Sequence, residues 1–212
     1  MTPQLEQRQI KERPILFSGE MVRAILEGRK TQTRRIIKLP RDCSWYHAAD
    51  PVNDGNFLKH GLEGYWHVEE LPCPYGKPGD RLWVREAHAF VPEPAYRCST
   101  GIIQKVNPVD SYQACVYREN FDRARSFSWR PSIHMPRWAC RILLEITGVR
   151  VERLQDISEE DALAEGVDNS LHLGGGRFAT ENFAHLWWMI NGDGSWESNP
   201  WVWCISFRRI ES

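Results

Sequence analysis

The eight residues Gly28-Arg29-Lys30-Thr31-Gln32-Thr33-Arg34-Arg35 bring together four cations and two hydroxyls. Charge this dense is costly to bury without partners, so the segment is expected to border a cleft that receives something polar or anionic. The plainer reading is a solvated strand start, with Arg29 and Lys30 favoured by the negative end of a preceding helix. Glu86 and His88, two apart in the alternating stretch Arg81 to Phe90, would share a strand face with Leu82 and Val84. They make either an acid/base pair or a polar stripe at a rim. His134, bracketed with Met135 by Pro131 and Pro136, suits the wall of a pocket. No zinc-type spacing links it to Glu86 and His88, and neither a metal nor an organic cofactor is expected. If a nucleic acid binds, Arg34, Arg35, Arg130, Arg137 and Arg141 are candidates for phosphates, and Trp83, Trp129 or Trp138 for stacking an unpaired base. Most of the ten tryptophans, Trp187 and Trp203 among them, are expected in the core.

The elements that must position these residues can be read in outline. Met1 to Arg13 is polar and without period, and reads as a flexible arm, with residues 14–212 as one domain. Pro14 to Phe17 reads as a buried strand. Ser18 is placed to cap a helix with Met21, Val22, Ile25 and Leu26 on one face, ended by Gly28. Thr33 to Ile37 looks extended. The stretches at about 40–78 and 91–136 lack a clear period and read as long insertions, the second with one strand at Gln113 to Tyr117. Ala139 to Leu154 has strong β-propensity with a bend or bulge at Gly148. Ser158 and Asp161 resemble a capping box opening a short helix that Gly166 ends. Gly174-Gly175-Gly176 marks a turn. A helix from Glu181 to Ile190, with Phe183, Leu186, Trp187 and Ile190 inward, stops near Gly192, and Pro200 to Ile210 closes as a strand. This order predicts a mixed α+β domain, a partly closed β-barrel with helices at its side.

Composition excludes some classes. At 212 residues and 42% hydrophobic content the chain can bury one sizeable core. A net charge of −1 and a pI near 6.7 do not fit a basic nucleic-acid coat. Cys43, Cys73, Cys98, Cys115, Cys140 and Cys204 form no CxxC pair, and read as reduced thiols of a cytoplasmic protein. No apolar run approaches the about 20 residues of a membrane span, so no membrane partner is expected. The sequence carries no signature of oligomeric state.

Four segments in order resemble the ASCH domain family, in the expanded form common in phages and prophages. They are Lys30-Thr31-Gln32-Thr33-Arg34 after a helix, Gly79-Asp80-Arg81-Leu82-Trp83-Val84-Arg85-Glu86, Ile157 to Gly166, and Asn199-Pro200-Trp201-Val202-Trp203. The resemblance runs from about Pro14 to Phe207. It implies a small PUA-like β-barrel, a protein related to RNA binding or RNA modification, and a nucleoside or RNA as partner. One small bacterial branch of similar pattern hydrolyses the acetyl amide of N(4)-acetylcytidine with a Lys, a Thr and a Glu. By the shared lysine, two residues, threonine pattern, the first two fall on Lys30 and Thr33. The third falls on Glu165, with Glu159 and Glu160 nearby. Arg29, Arg34, Arg35, Glu86, His134, Arg137 and Trp138 are then candidate substrate or nucleic-acid contacts. The present chain is much longer than that branch.

Amide hydrolysis needs a nucleophile, a proton acceptor and a donor where the carbonyl oxygen becomes negative. In the roles this resemblance implies, Thr33 attacks, Glu165 accepts the proton and Lys30 is the charged oxyanion partner. A carboxylate at a helix C-terminus is poorly placed for its charge, which suits a base. On one plain strand Lys30 and Thr33 would face opposite ways, so the chain must turn between them. Two other classes are a non-catalytic reader of RNA or of a modified base, and an accessory protein that binds a host protein through its insertions.

Overall fold

The computed structural model describes residues 9–38, 72–123, 127–167 and 178–211, together with the backbone of three short strands between 45 and 70. Cys43, the Gly174 to Gly176 turn and most of the first insertion lie outside the described residues. The first elements are β1 (Glu12–Leu16), α1 (Gly19–Leu26), β2 (Gln32–Ile36), β3 (Trp45–His47), β4 (Asn56–His60) and β5 (Trp66–Glu70). There follow β6 (Arg81–Arg85), β7 (His88–Pro92), β8 (Gln104–Val106), β9 (Gln113–Tyr117), β10 (Leu143–Arg153), α2 (Glu159–Ala164), α3 (Ala179–Asn191) and β11 (Trp201–Ile210). The fold is mixed α+β, and among the described residues no helix is long and apolar enough to cross a membrane.

The frame is a five-stranded sheet in the order β1-β6-β10-β11-β2, parallel only between β1 and β6. Its backbone is the long β10–β11 pairing, from Leu143 opposite Ile210 to Arg153 opposite Trp201. The register shifts between Ile146 and Gly148, where the bulge was expected. Because side chains alternate along a strand, β11 serves two cores. Trp203, Ile205 and Phe207 pack with Val22 and Ile25 of α1, whereas Val202 and Cys204 pack with Ala162 of α2 and with Phe183 and Trp187 of α3. Each fully buried large side chain contributes about 1.5–3 kcal/mol, so the two faces hold α1, α2 and α3 in place.

The caps follow the sequence. The Ser18 hydroxyl accepts from the Met21 N–H, Ser158 accepts from Asp161 N–H at 3.1 Å, and Gly192 closes α3. Other expectations need correction. β1 begins at Glu12, and the Lys11 N–H donates to Asp80, so the arm is tied down before Arg13. The strand expected from Arg81 to Phe90 breaks at Glu86 and Ala87, and its second half joins a three-stranded sheet in the order β7-β9-β8. Glu86 is buried where the chain leaves one sheet for the other, and therefore shares no strand face with His88. The insertions are not simply loops, since β3-β4-β5 and β7-β9-β8 are both antiparallel sheets. Ile190, expected inward, is 52% exposed. Among the described residues the five-stranded sheet stays open, with β1 and β2 as its two edges. Across that gap the Arg35 side chain donates to the Leu16 carbonyl at 2.7 Å.

Candidate functional site

Lys30 belongs to the unwinding end of α1, not to β2. Gly28 takes φ +77°, and the N–H groups of Arg29 and Lys30 both return to the Ala24 carbonyl, at 2.9 and 3.1 Å. The chain thus turns before the strand begins at Gln32, and strand parity does not separate Lys30 from Thr33. Thr31 N–H donates to Ala164 at 2.8 Å and ties this turn to the end of α2. There the Lys30 ammonium donates to both the backbone carbonyl and the Oε2 of Glu165, each at 2.7 Å. Lys30 and Glu165 are 2% and 3% exposed. Gly166, at φ +85°, makes the approach possible, because a Cβ there would lie 2.9 Å from the Cβ atoms of both Ala24 and Lys30. Burial pushes the Lys30 pKa below its ordinary value; Glu165 opposes this, and Arg35 and Arg34 add to it.

Glu165 also faces Arg34, whose Nη1 lies 3.4 Å from Oε1. The other arm of Arg34 reaches Glu152 at 2.9 Å and Asp161 at 2.8 Å. Arg150 joins from β10, bonding Glu152, Asp161 at 2.6 Å and the Gln32 side chain at 3.0 Å. Two members stay underused: Arg34 Nε and Gln32 Nε2 are buried without a hydrogen-bond partner among the described residues. Asp161 therefore does more than open its helix. Its carboxylate serves the two arginines. Glu159 caps a different helix, accepting from Ala179 N–H at 2.7 Å and Thr180 N–H at 3.2 Å.

Along the free edge of β2 lies a recess of about 60 Å³ whose wall includes Thr33, Arg34, Glu165, Phe183 and Trp187. Thr33 is 1% exposed, and Trp187 Nε1 is buried without a partner. Lys30 is not part of the wall; it contacts Glu165 from behind. Met21, Arg35 and Ile190 are shared between this recess and a groove of about 650 Å³ that runs past the end of β1, Tyr75, Arg85 and Ser132. The structure thus joins Lys30 to Glu165 and sets Thr33 on the same wall as Glu165. Cations on that wall come from Arg34 and Arg35, not from Lys30.

The remaining candidates are dispersed. Arg29 pairs with Glu27 and donates to the Gly166 carbonyl at 3.1 Å. Glu86 is closed in a bidentate pair with Arg141, at 2.8 and 2.7 Å. His134 is exposed, while Met135 is fully buried beneath the Glu86 N–H, so neither lines the recess or the groove. Arg137 pairs with Glu12, and Trp138 stacks on Phe90 with centroids 5.6 Å apart. Of the tryptophans proposed for stacking a base, Trp83 is buried and Trp129 packs among Phe121 and Phe127. Arg130 lies over Phe90. Among the described residues no group of three metal-ligating side chains occurs.

Sequence reasoning missed Gln32, Glu152, Arg150, Asp161 and Arg85. Gln32 and Arg34 on β2, and Arg150 and Glu152 on β10, each repeat at two residues and so fall on one face of their strand. That spacing is the signal that could have revealed a buried polar face.

No protein-family model and no curated protein matches the chain. One solved structure aligns, a crystal structure of protein EF3133 from Enterococcus faecalis V583, of family model DUF984, at 13% identity. The alignment covers 97% of this chain and 84% of that one, with a TM-score of 0.41.

Proposed function

We propose that the chain is a PUA-like, ASCH-type module that recognises a nucleobase, nucleoside or RNA and hydrolyses an acyl amide on it, of the N(4)-acetylcytidine kind. The observation that carries this reading is the buried Lys30–Glu165 contact at 2.7 Å beside a recess shared by Glu165 and Thr33. The recess is too small for a nucleoside and the groove beyond it is not. The base and sugar lie in the groove, with the acyl group directed into the recess.

Glu165 takes the Thr33 hydroxyl proton as Oγ1 adds to the amide carbon. Charge developing on the carbonyl oxygen is met by Arg34, which lines the recess and has an unsatisfied Nε–H. Collapse breaks the C–N bond, and Glu165 returns the proton to the departing amine. Water, deprotonated by Glu165, then adds to the ester carbon, and Glu165 gives that proton to Thr33 Oγ1 as the C–O bond breaks, releasing the acid and restoring both residues. Lys30 acts through Glu165 as a positioning residue: it donates to both the side chain and the backbone carbonyl of Glu165 and so fixes the carboxylate.

The test incubates metal-free protein with N(4)-acetylcytidine and follows cytidine release. Wild type is expected to turn over, and Thr33→Val to lose at least about 100-fold at unchanged thermal midpoint, whereas Thr33→Ser retains measurable release. A folded wild type that releases no cytidine would leave the second reading, a non-catalytic reader. That alternative uses the groove alone, with Arg35 and Arg85 on its wall, and needs nothing of the recess.

A further inference from the structure

Resting on the nucleoside reading above, we propose that the groove beside the recess is a phosphate subsite, built on Arg35 and Arg85, so that the ligand is a nucleotide or an RNA strand and not a free nucleoside. Both arginines line the groove, with the hydroxyl-bearing Tyr75 and Ser132. Most arginines of the described residues are matched with carboxylates, as Arg13 is with Asp80, Arg23 with Glu119 and Arg141 with Glu86. Arg35 and Arg85 are not, and unlike other arginines without such a partner, Arg130 and Arg153 among them, they line this groove. The Arg35 side chain donates to the Leu16 carbonyl and lies over the Phe17 ring at 5.3 Å. Arg85 lies over Trp83 at 4.7 Å, and its Nε is buried with no hydrogen-bond partner among the described residues.

Among the described residues neither guanidinium has a carboxylate within ion-pair distance, Glu165 acting on Arg35 only from farther off, so two half-buried cations lie where an entering anion is favoured. Each guanidinium lies over an aromatic ring, which holds it at the groove, and an arginine fork can donate several N–H groups to phosphate oxygens. Position fits as well. Arg35 borders both the recess and the groove, so an anion held there lies next to whatever group enters beside Thr33 and Glu165.

The experiment is calorimetric titration of the full chain at low salt with cytidine, cytidine monophosphate, pyrophosphate and a short cytidine-containing RNA, on wild type, Arg85→Gln and Arg35→Lys. The monophosphate is expected to bind roughly 10- to 100-fold more tightly than cytidine, an advantage that Arg85→Gln removes and added salt weakens. Arg35→Lys keeps the charge and loses the planar fork, so it reduces that advantage only in part. RNA binding with the same loss in Arg85→Gln assigns the phosphate to a polymer; binding of the monophosphate alone assigns it to a free nucleotide. Equal affinity for cytidine and its monophosphate, unaltered in Arg85→Gln, overturns the subsite and leaves the nucleoside reading standing. Pyrophosphate binding abolished in Arg85→Gln, with both cytidine compounds ignored, upholds the anion subsite while the nucleoside reading fails. Absence of all binding to folded protein overturns both.

Discussion

Glu86 and Glu165 are buried alike, at 1% and 3% exposure, yet their surroundings differ in kind. Glu86 is fully matched: both oxygens receive Arg141, whose guanidinium lies 4.2 Å from the Tyr117 ring centroid and also donates to the Glu119 carbonyl. The pair locks the point where the chain passes from the five-stranded sheet into β7, and it borders none of the described cavities. Glu165 has one short ionic contact, to Lys30, and a longer one to Arg34, whose remaining capacity is divided between Glu152 and Asp161. Its network retains unsatisfied donors and opens on a recess. A closed pair spends its hydrogen-bonding capacity on the fold, whereas an open network keeps some for a ligand. Mutation should separate the two regions by what is lost first, stability or activity.

The largest effect on stability is expected at the closed pair. Arg141→Met leaves Glu86 buried without its counterion and should cost about 3–5 kcal/mol in denaturant unfolding. Adding Glu86→Leu removes the stranded charge and should restore most of that loss. Partial restoration marks the pair as a lock that apolar packing can replace. A double variant no more stable than Arg141→Met would mean that the pair supplies more than charge cancellation.

The same contrast explains what the sequence did and did not reveal. The turn carrying Lys30 was legible because its determinants are local: Ser18 caps α1, its apolar residues share a face, and Gly28 supplies the positive φ. The bulge near Gly148 and the helix ends at Gly166 and Gly192 were legible for the same reason. The break at Glu86 was not, because neither Gly nor Pro marks a turn between Arg81 and Phe90 and the partner that holds Glu86 there is Arg141, 55 positions away. Asp161 reads in sequence as a local cap, since Ser158 three residues earlier fits that role, while its two arginine partners come from β2 and β10. Glu159 and Glu165 were hard to tell apart in sequence. Only the packing of α2 against α3 assigns the first to a helix cap and leaves the second for Lys30.

In the open network, Glu165→Gln is expected to reverse the order of losses. The amide keeps the shape and can still accept from Lys30, so stability should fall by only about 1–3 kcal/mol. Release of cytidine from N(4)-acetylcytidine should fall by at least about 100-fold, because a neutral amide takes no proton. If Glu165→Gln costs as much stability as Arg141→Met while activity persists, the two regions are alike and Glu165 is structural.

Gly166→Ala tests how closely α2 must approach the Lys30 turn. The backbone there is at φ +85°, and the new methyl would lie 2.9 Å from the Lys30 and Ala24 Cβ atoms. A cost of about 1–3 kcal/mol is expected, with activity reduced because Lys30 and Glu165 are pushed apart. Gly28→Ala is the control. It has a similar φ of +77° but no atom within 4 Å of the new methyl, so it carries the backbone strain without displacing the pair. Equal loss of activity in both would assign the effect to strain alone.

The smallest effect is the pH at which each region yields. Beside the closed pair, His88 is fully buried, with Nδ1 donating to the Glu86 carbonyl at 3.2 Å and Nε2 unpartnered. Burial holds its pKa below the ordinary value, against the bond to Glu86 and with help from Arg130 and His134. The unfolded chain then takes up a proton at higher pH than the folded one, so stability falls as pH drops below about 6.5. In the open network, burial of Asp161 acts to raise its pKa, but Arg34 and Arg150 outweigh it and hold the carboxyl below its ordinary value. Its contribution is therefore present above about pH 4 and lost as pH falls through the folded value. Urea midpoints across pH 3–8 should show two acid losses, the upper removed by His88→Phe and the lower flattened by Asp161→Asn. A single loss near pH 4 that His88→Phe does not alter would mean that the unpartnered imidazole carries no penalty on protonation. The region around Glu86 would then be less closed than its ion pair makes it.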